Sequence, residues 1–269
     1  MADRLKGKVA ILTGGASGIG RAGSILMAGE GASVVVADID TERANALARE
    51  IESSGGKAIG IRLDVRDTAS VQTMVDEVVE RCGRIDILFH NAVSVPLVNK
   101  HDRRITELPE ETWDAIIGLV LTGTYLTAKY VARRMLEQKS GSIILTATVD
   151  ALIGQAGLDA YTAAKGGVVA MTRSMAAGLS PEGVRVNAIC PGFVKTPHQS
   201  VFLDDERERA SIEALHLMGI MDPEEVAAFA VFLASDEARS MTGGIHVVDS
   251  GYTAFKTTVD PASVFKREA

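Results

Sequence analysis

The chain is poor in the residues that build disulfide scaffolds, basic surfaces and membrane spans. Its 269 residues include only two cysteines, Cys82 and Cys190, far apart and without metal-ligand spacing. That pattern argues against a disulfide framework or a cysteine-held zinc, and it predicts buried thiols in a reducing compartment. His90, His101, His198, His216 and His246 are equally scattered, so no metal site is expected. Twenty-eight basic residues against 35 acidic ones leave a formal charge of −7, and no basic block stands out. Nucleic acid and anionic membrane surfaces are therefore not expected partners. No apolar run approaches the roughly 18 residues of a membrane span. Met1, Ala2, Asp3 and Arg4 lead into no apolar stretch, and the expectation is a cytoplasmic protein without membrane association.

What the chain does have is aliphatic material arranged in a repeating order. Hydrophobic residues make up 46% and charged residues 23%, enough for a large core and too apolar for disorder. Short apolar runs at Val9–Leu12, Ser33–Ala37, Lys57–Leu63, Ile85–His90, Ser142–Thr146, Val184–Ile189 and Ile245–Val248 read as strands. Between them, apolar residues at three- and four-residue spacing predict helices over Ile19–Gly29, Thr41–Glu52, Asp67 or Thr68 to Cys82, Glu110–Gln138 and Asp159–Leu179. Two more are predicted near 204–217 and 223–235. Uniformly apolar strands alternating with helices predict an α/β fold, a doubly wound, Rossmann-type parallel sheet of about seven strands. Residues 1–255 read as a single domain. The segment 256–269, with Asp260, Pro261 and Lys266, loses the pattern and reads as a C-terminal tail.

Three groups of residues carry chemistry. Thr13, Gly14, Gly15, Ala16, Ser17, Gly18, Ile19 and Gly20 fit T-G-x-x-x-G-x-G between the first strand and the first helix. There, glycines permit a tight turn and close approach of a pyrophosphate to the helix amides. Asp38, followed by Ile39, ends the second strand where an adenosine ribose would lie; its carboxylate accepts bonds from ribose hydroxyls and repels a 2′-phosphate, which favours NAD. A plain helix cap before Thr41 is the alternative role for Asp38. Tyr161 and Lys165 stand four residues apart on a predicted helix and share a face. An ammonium beside a phenol stabilises the phenolate, which makes Tyr161 a candidate general acid/base.

Taken in order, these motifs resemble the short-chain dehydrogenase/reductase family over roughly Leu5 to Gly251. The resemblance extends to Asp64 and Val65, where the family places an adenine contact, and to Asn91-Ala92 at its N-A-G position. Pro191, Gly192, Val194 and Thr196 match its nicotinamide-binding P-G-x-V-x-T segment. It implies NAD as cofactor and hydride transfer to or from a secondary alcohol or its ketone, with Lys165 also on the nicotinamide ribose. The substrate-orienting serine of the family falls on Thr148, thirteen residues before Tyr161. The resemblance also implies a dimer or tetramer, a homotetramer being the expectation, built through the helices bearing Trp113 and Tyr161.

Two further positions depart from the family pattern. The relay asparagine is Val120, which cannot hydrogen-bond a water, and the glycine after Ala92 is Val93. Either a backbone carbonyl near Leu119 keeps the relay, or Lys165 exchanges protons by another route, or turnover is slow. An NAD-binding protein with weak or non-redox activity is accordingly the alternative. Val93, Val95 and Val120, with Leu215, Leu217, Met218, Ile220 and Met221, predict an apolar pocket suited to a hydrophobic or cyclic alcohol. Asp150 reads equally as a substrate contact or a turn carboxylate.

Overall fold

A computed structural model describes residues 3–255 and residue 258. The expected tail, 256–269, therefore lies outside the described residues except for Thr258. Seven strands, β1 (Val9–Thr13), β2 (Ser33–Asp38), β3 (Lys57–Arg62), β4 (Ile87–His90), β5 (Gly141–Thr146), β6 (Val184–Pro191) and β7 (Ile245–Val248), form one sheet in the order β3-β2-β1-β4-β5-β6-β7. Every pairing is parallel. The edge strands β3 and β7 are partly exposed, so burial on both faces holds for the inner five.

Strand alternation sorts the core into two layers. Ile11, Val35, Leu88, Ile143 and Val186 face α3 (Thr68–Cys82), α6 (Gly123–Gln138) and α7 (Asp159–Leu179). Their neighbours Leu12, Val34, Val36, Phe89 and Ile144 face α1 (Gly18–Gly29), α2 (Thr41–Ser53) and α10 (Pro223–Ala234). Cys190 is buried in the sheet, whereas Cys82, at the end of α3, is only half-buried.

Several boundaries differ from the sequence reading. The capping residue of α2 is Asp40, whose carboxylate accepts the Arg43 N–H at 3.0 Å, and the helix runs one residue past the expected Glu52. The long helix expected over Glu110–Gln138 is α5 (Glu110–Ile117) and α6, joined by a wider π-type turn over Gly118–Thr122. Its 29 residues contain a window of mean hydropathy 1.4, apolar enough by composition for a membrane span, contrary to expectation; half of that window is buried within the fold, as in a core helix. The irregular stretch after β4 contains α4 (Val95–His101), and the helix expected near 204–217 is the shorter α9 (Glu206–Ala214), preceded by a single turn, α8 (Ser200–Leu203).

Strand order reverses between β1 and β4, so the loops leaving their C-terminal ends diverge to opposite sides of the sheet. Such a switch point opens a crevice at the strand ends.

Candidate active site

Loops leaving β1, β4, β5 and β6 converge on a cavity of about 440 Å³ at that crevice. After β1 the chain turns through Gly14 at φ +60°, where an added Cβ would lie 3.0 Å from the Ala92 Cα. At Gly20 a Cβ would fall 2.0 Å from the Gly14 carbonyl oxygen. Both positions demand glycine, and the turn they permit lays Ser17, Gly18 and Ile19 along the cavity wall. Ser17, the residue preceding α1, makes no side-chain capping bond, and the first turn carries no acidic residue. The leading amides and the positive end of the helix dipole are thus available to an anion, and this cradle fits a dinucleotide pyrophosphate.

Asp38 is not a helix cap. Its Oδ2 accepts the Ala16 N–H and its Oδ1 the Asp40 N–H, each at 3.1 Å, so the carboxylate is fixed against the glycine-rich turn. Ile39 beside it is 57% exposed. Asp64 accepts a two-pronged bond from Arg66 at 2.9 and 2.7 Å, and that guanidinium holds its carboxyl below the usual range. Val65 is buried against Gly123. Gly20, Asp38, Ile39, Asp64 and Val65 all stand off the cavity wall, whereas Gly14, Asn91, Thr148, Tyr161, Lys165, Pro191, Gly192, Val194 and Thr196 line it with Ser17, Gly18 and Ile19. Thr13 fastens β4 to the turn: its hydroxyl oxygen accepts the N–H groups of Asn91 and Ala92 at 3.1 and 3.2 Å.

Tyr161 and Lys165 project one helical turn apart from α7. The Lys165 amine, 4% exposed, donates to the Thr146 carbonyl at 2.5 Å and lies 5.7 Å from the Tyr161 ring centre. Burial pulls its pKa down to about 8. Burial drives the Tyr161 phenol far above its ordinary value, the Asp150 charge adds to this, and the Thr148 hydroxyl partly opposes it. The expected lowering of the phenol by Lys165 is therefore not what governs Tyr161 here; enclosure outweighs it, and the phenol holds its proton at neutral pH.

Sequence reasoning missed the residue that anchors α7. Asp102, 3% exposed, accepts the N–H groups of Ala160 and Tyr161 at 3.2 and 2.9 Å, satisfying two donors of the helix's open end. It lies 58 and 59 positions from its partners, a distance at which no local cap signal operates. Asp102→Ala strands both amides and is expected to cost about 1–3 kcal/mol. Thermal unfolding and kcat measured together check this, because the displaced element carries Tyr161.

The segment after β6 closes the cavity with Phe193, His198, Gln199, Phe202, Ile212 and His216. His216 is a wall residue. Its Nδ1 donates to the Ile212 carbonyl at 2.7 Å, its Nε2 accepts the Phe193 N–H at 3.2 Å, and its ring stacks on Tyr252. Asn99 of α4 donates to the Gln199 side chain at 3.3 Å, tying the insertion after β4 to this segment. The apolar wall comprises Val93, Val95 and Leu215 as expected, joined by Val98 and Leu158. The other members of the expected patch are elsewhere: Leu217 and Met218 are solvent-exposed, while Ile220 and Met221 are buried off the wall. Val120 packs against Ile116, Ala160 and Ala164, off the wall, and its carbonyl accepts the Thr124 hydroxyl at 2.5 Å.

Comparison with known proteins agrees with this arrangement. A family profile described as enoyl-(acyl carrier protein) reductase matches residues 14–253. A 3-oxoacyl-[acyl-carrier-protein] reductase of Thermotoga maritima is 38% identical over 248 residues, covering 92% of this chain and 98% of the relative. A cis-4-hydroxycyclohexanecarboxylate dehydrogenase of Sinomonas cyclohexanicum is 38% identical over 256 residues, 94% of this chain and all of the relative (100%). The crystal structure of a short-chain type dehydrogenase/reductase from Mycobacterium marinum superposes with a TM-score of 0.86 at 33% identity, over 94% of this chain and 98% of that one. The chain belongs to the short-chain dehydrogenase/reductase family and is an oxidoreductase that works with a nicotinamide dinucleotide.

Proposed function

We propose that the protein is an NAD-dependent dehydrogenase that interconverts a hydrophobic or cyclic secondary alcohol and its ketone. The observation that carries this reading is the placement of the Tyr161 phenol, the Lys165 amine and the Thr148 hydroxyl on one cavity wall that also includes the glycine-rich turn. When bound, the nicotinamide accepts or supplies the hydride. Tyr161 delivers its proton to the ketone oxygen in reduction; in oxidation the fraction present as phenolate takes the proton from the alcohol. Thr148 donates a hydrogen bond to that oxygen and stabilises the charge it develops. Lys165 would hold the ribose of the nicotinamide, and Pro191, Gly192, Val194 and Thr196 its ring. Aliphatic and aromatic side chains on most of the remaining wall favour a compact apolar ring over a free sugar. The Sinomonas relative, named for a hydroxycyclohexanecarboxylate substrate, supports a cyclic secondary alcohol. A panel of cyclic secondary alcohols against sugar polyols tests it; higher kcat/KM for the polyols contradicts it.

Asp38 supports NAD over NADP. Ala16, Ser17, Ile39 and Asp40 beside it carry no positive charge; the nearest cation across the sheet is Arg62, its register partner on β3. Like charges in contact cost several kcal/mol, so kcat/KM for NAD is expected to exceed that for NADP by about 10²-fold. Asp38→Ala should narrow the ratio at least about tenfold in parallel initial-rate assays. Self-assembly through the α5–α6 and α7 faces belongs to the same proposal. Tyr125 on α6 is 46% exposed, a large aromatic open to a second copy. A purely monomeric species in sedimentation contradicts this part.

A further inference from the structure

Among the described residues Asp150 is the one carboxyl that hydrogen-bonds to a side chain of the proposed catalytic set, and family motifs assign it nothing. It sits in the short helical turn Val149–Ala151 after β5 and lines the cavity. Two of its atoms approach the Thr148 hydroxyl oxygen: its own N–H at 3.3 Å and its Oδ2 at 3.0 Å. A hydroxyl has one proton and two lone pairs. If Asp150 is ionised, the Thr148 proton is drawn to the carboxylate, and only a lone pair faces the substrate oxygen. If Asp150 keeps its proton, its O–H and N–H both donate to Thr148, and the Thr148 proton is free for the substrate.

We propose that Asp150 is a positioning residue that acts as a neutral acid, turning the Thr148 hydroxyl into an obligate donor toward the substrate oxygen. The inference rests on the dehydrogenase reading above and deepens it. Partial enclosure works in the same direction: burial raises the Asp150 pKa, with the Thr148 bond opposing it. The surroundings offer little to hold a carboxylate. The titratable groups on the same cavity wall are Tyr161 and Lys165 of α7, His198, Glu208 and His216 of the segment after β6, and Tyr252 after β7. Of these Lys165 is the one cation by type, and it bonds to the Thr146 carbonyl. An ionised Asp150 also raises the Tyr161 phenol, so its proton serves both partners of the substrate oxygen.

Asp150→Asn retains a side-chain N–H donor at all pH values, and Asp150→Ala has none. With cyclohexanol and NAD, kcat of the alanine variant at the acid end of the profile is expected to fall about tenfold, with little change in KM, and asparagine to restore most of it. The Asn-to-wild-type kcat ratio, in which the titration of Tyr161 and Lys165 largely cancels, should rise about tenfold as pH climbs from about 5 to about 9. A flat ratio, an asparagine variant as poor as alanine, or a loss confined to KM would overturn the proposal; the last would make Asp150 a substrate ligand. Infrared difference spectra of wild type against Asp150→Asn give a readout without turnover. A protonated-carboxyl band at neutral pH that the variant lacks supports the assignment, and absence of that band overturns it. Failure to oxidise any alcohol would instead count against the dehydrogenase reading, leaving the infrared result to decide Asp150.

Discussion

Tyr161→Phe is expected to lower kcat by about 10²- to 10⁴-fold, the range general acid/base catalysis supplies. The change deletes one oxygen and leaves the ring, so the packing of α7 against Ile116 and Val120 should persist. Dinucleotide affinity should also persist, because the pyrophosphate cradle is built by Gly14, Ser17, Gly18 and Ile19 in the turn after β1 and the start of α1. Fluorescence titration with NADH beside steady-state kinetics separates the two. Loss of turnover with retained binding is the expected pair. Undiminished turnover removes Tyr161 from the chemistry.

Lys165→Met carries the second large effect, and it has opposite signs for function and stability. The folded-state pKa of Lys165 is lowered from 10.5 to about 8, while the unfolded chain keeps the ordinary value. Between those limits the unfolded state binds more protons, so this group's contribution makes stability rise with pH from about 8 to about 10.5. Below about pH 8 the amine is charged in both states, and the destabilisation is complete at about 3 kcal/mol. Methionine removes that charge but leaves the Thr146 carbonyl without its donor, a loss of about 1 kcal/mol. A net gain of about 2 kcal/mol at neutral pH corresponds to a rise in Tm of roughly 4–8 °C for a chain this long. Turnover should fall about 10²-fold or more, since the amine beside the phenol is gone. Calorimetry of both proteins at neutral pH and near pH 10 checks the sign, because the stability advantage should shrink at the higher pH.

The parts of the fold that could be read from the chain are those encoded within one element. Runs such as Val34-Val35-Val36 and Ile143-Ile144-Leu145 specify inner strands because both faces are buried. The glycine-rich turn was legible because a Cβ at Gly14 or Gly20 has no room, a constraint that leaves its mark as residue type. Features that depend on two distant segments left no such mark. Asp102 reads as one of many acidic loop residues until α7 is brought over it. Val120 sits at the family's relay position, yet the wider turn over Gly118–Thr122 carries its side chain into a small cluster with Ala160 and Ala164. The apolar patch predicted after β6 held only at Leu215 for a related reason: Met221 packs into the core layer of α1 and α10, Ile220 is buried off the wall, and Met218 turns outward, 86% exposed. Composition showed that the segment was apolar, and only the chain's path decides which side chains meet the cavity.

One labelling experiment reaches the central claim directly. The enzyme is incubated with NAD and cyclohexanol carrying deuterium on the carbinol carbon, and the nucleotide is recovered for NMR. Hydride transfer under Tyr161 predicts deuterium at C4 of the nicotinamide, on one face of the ring, at a rate that Tyr161→Phe reduces in step with kcat. Consumption of the alcohol with the label lost to water, or retained in a product while the nucleotide stays oxidised, would contradict it.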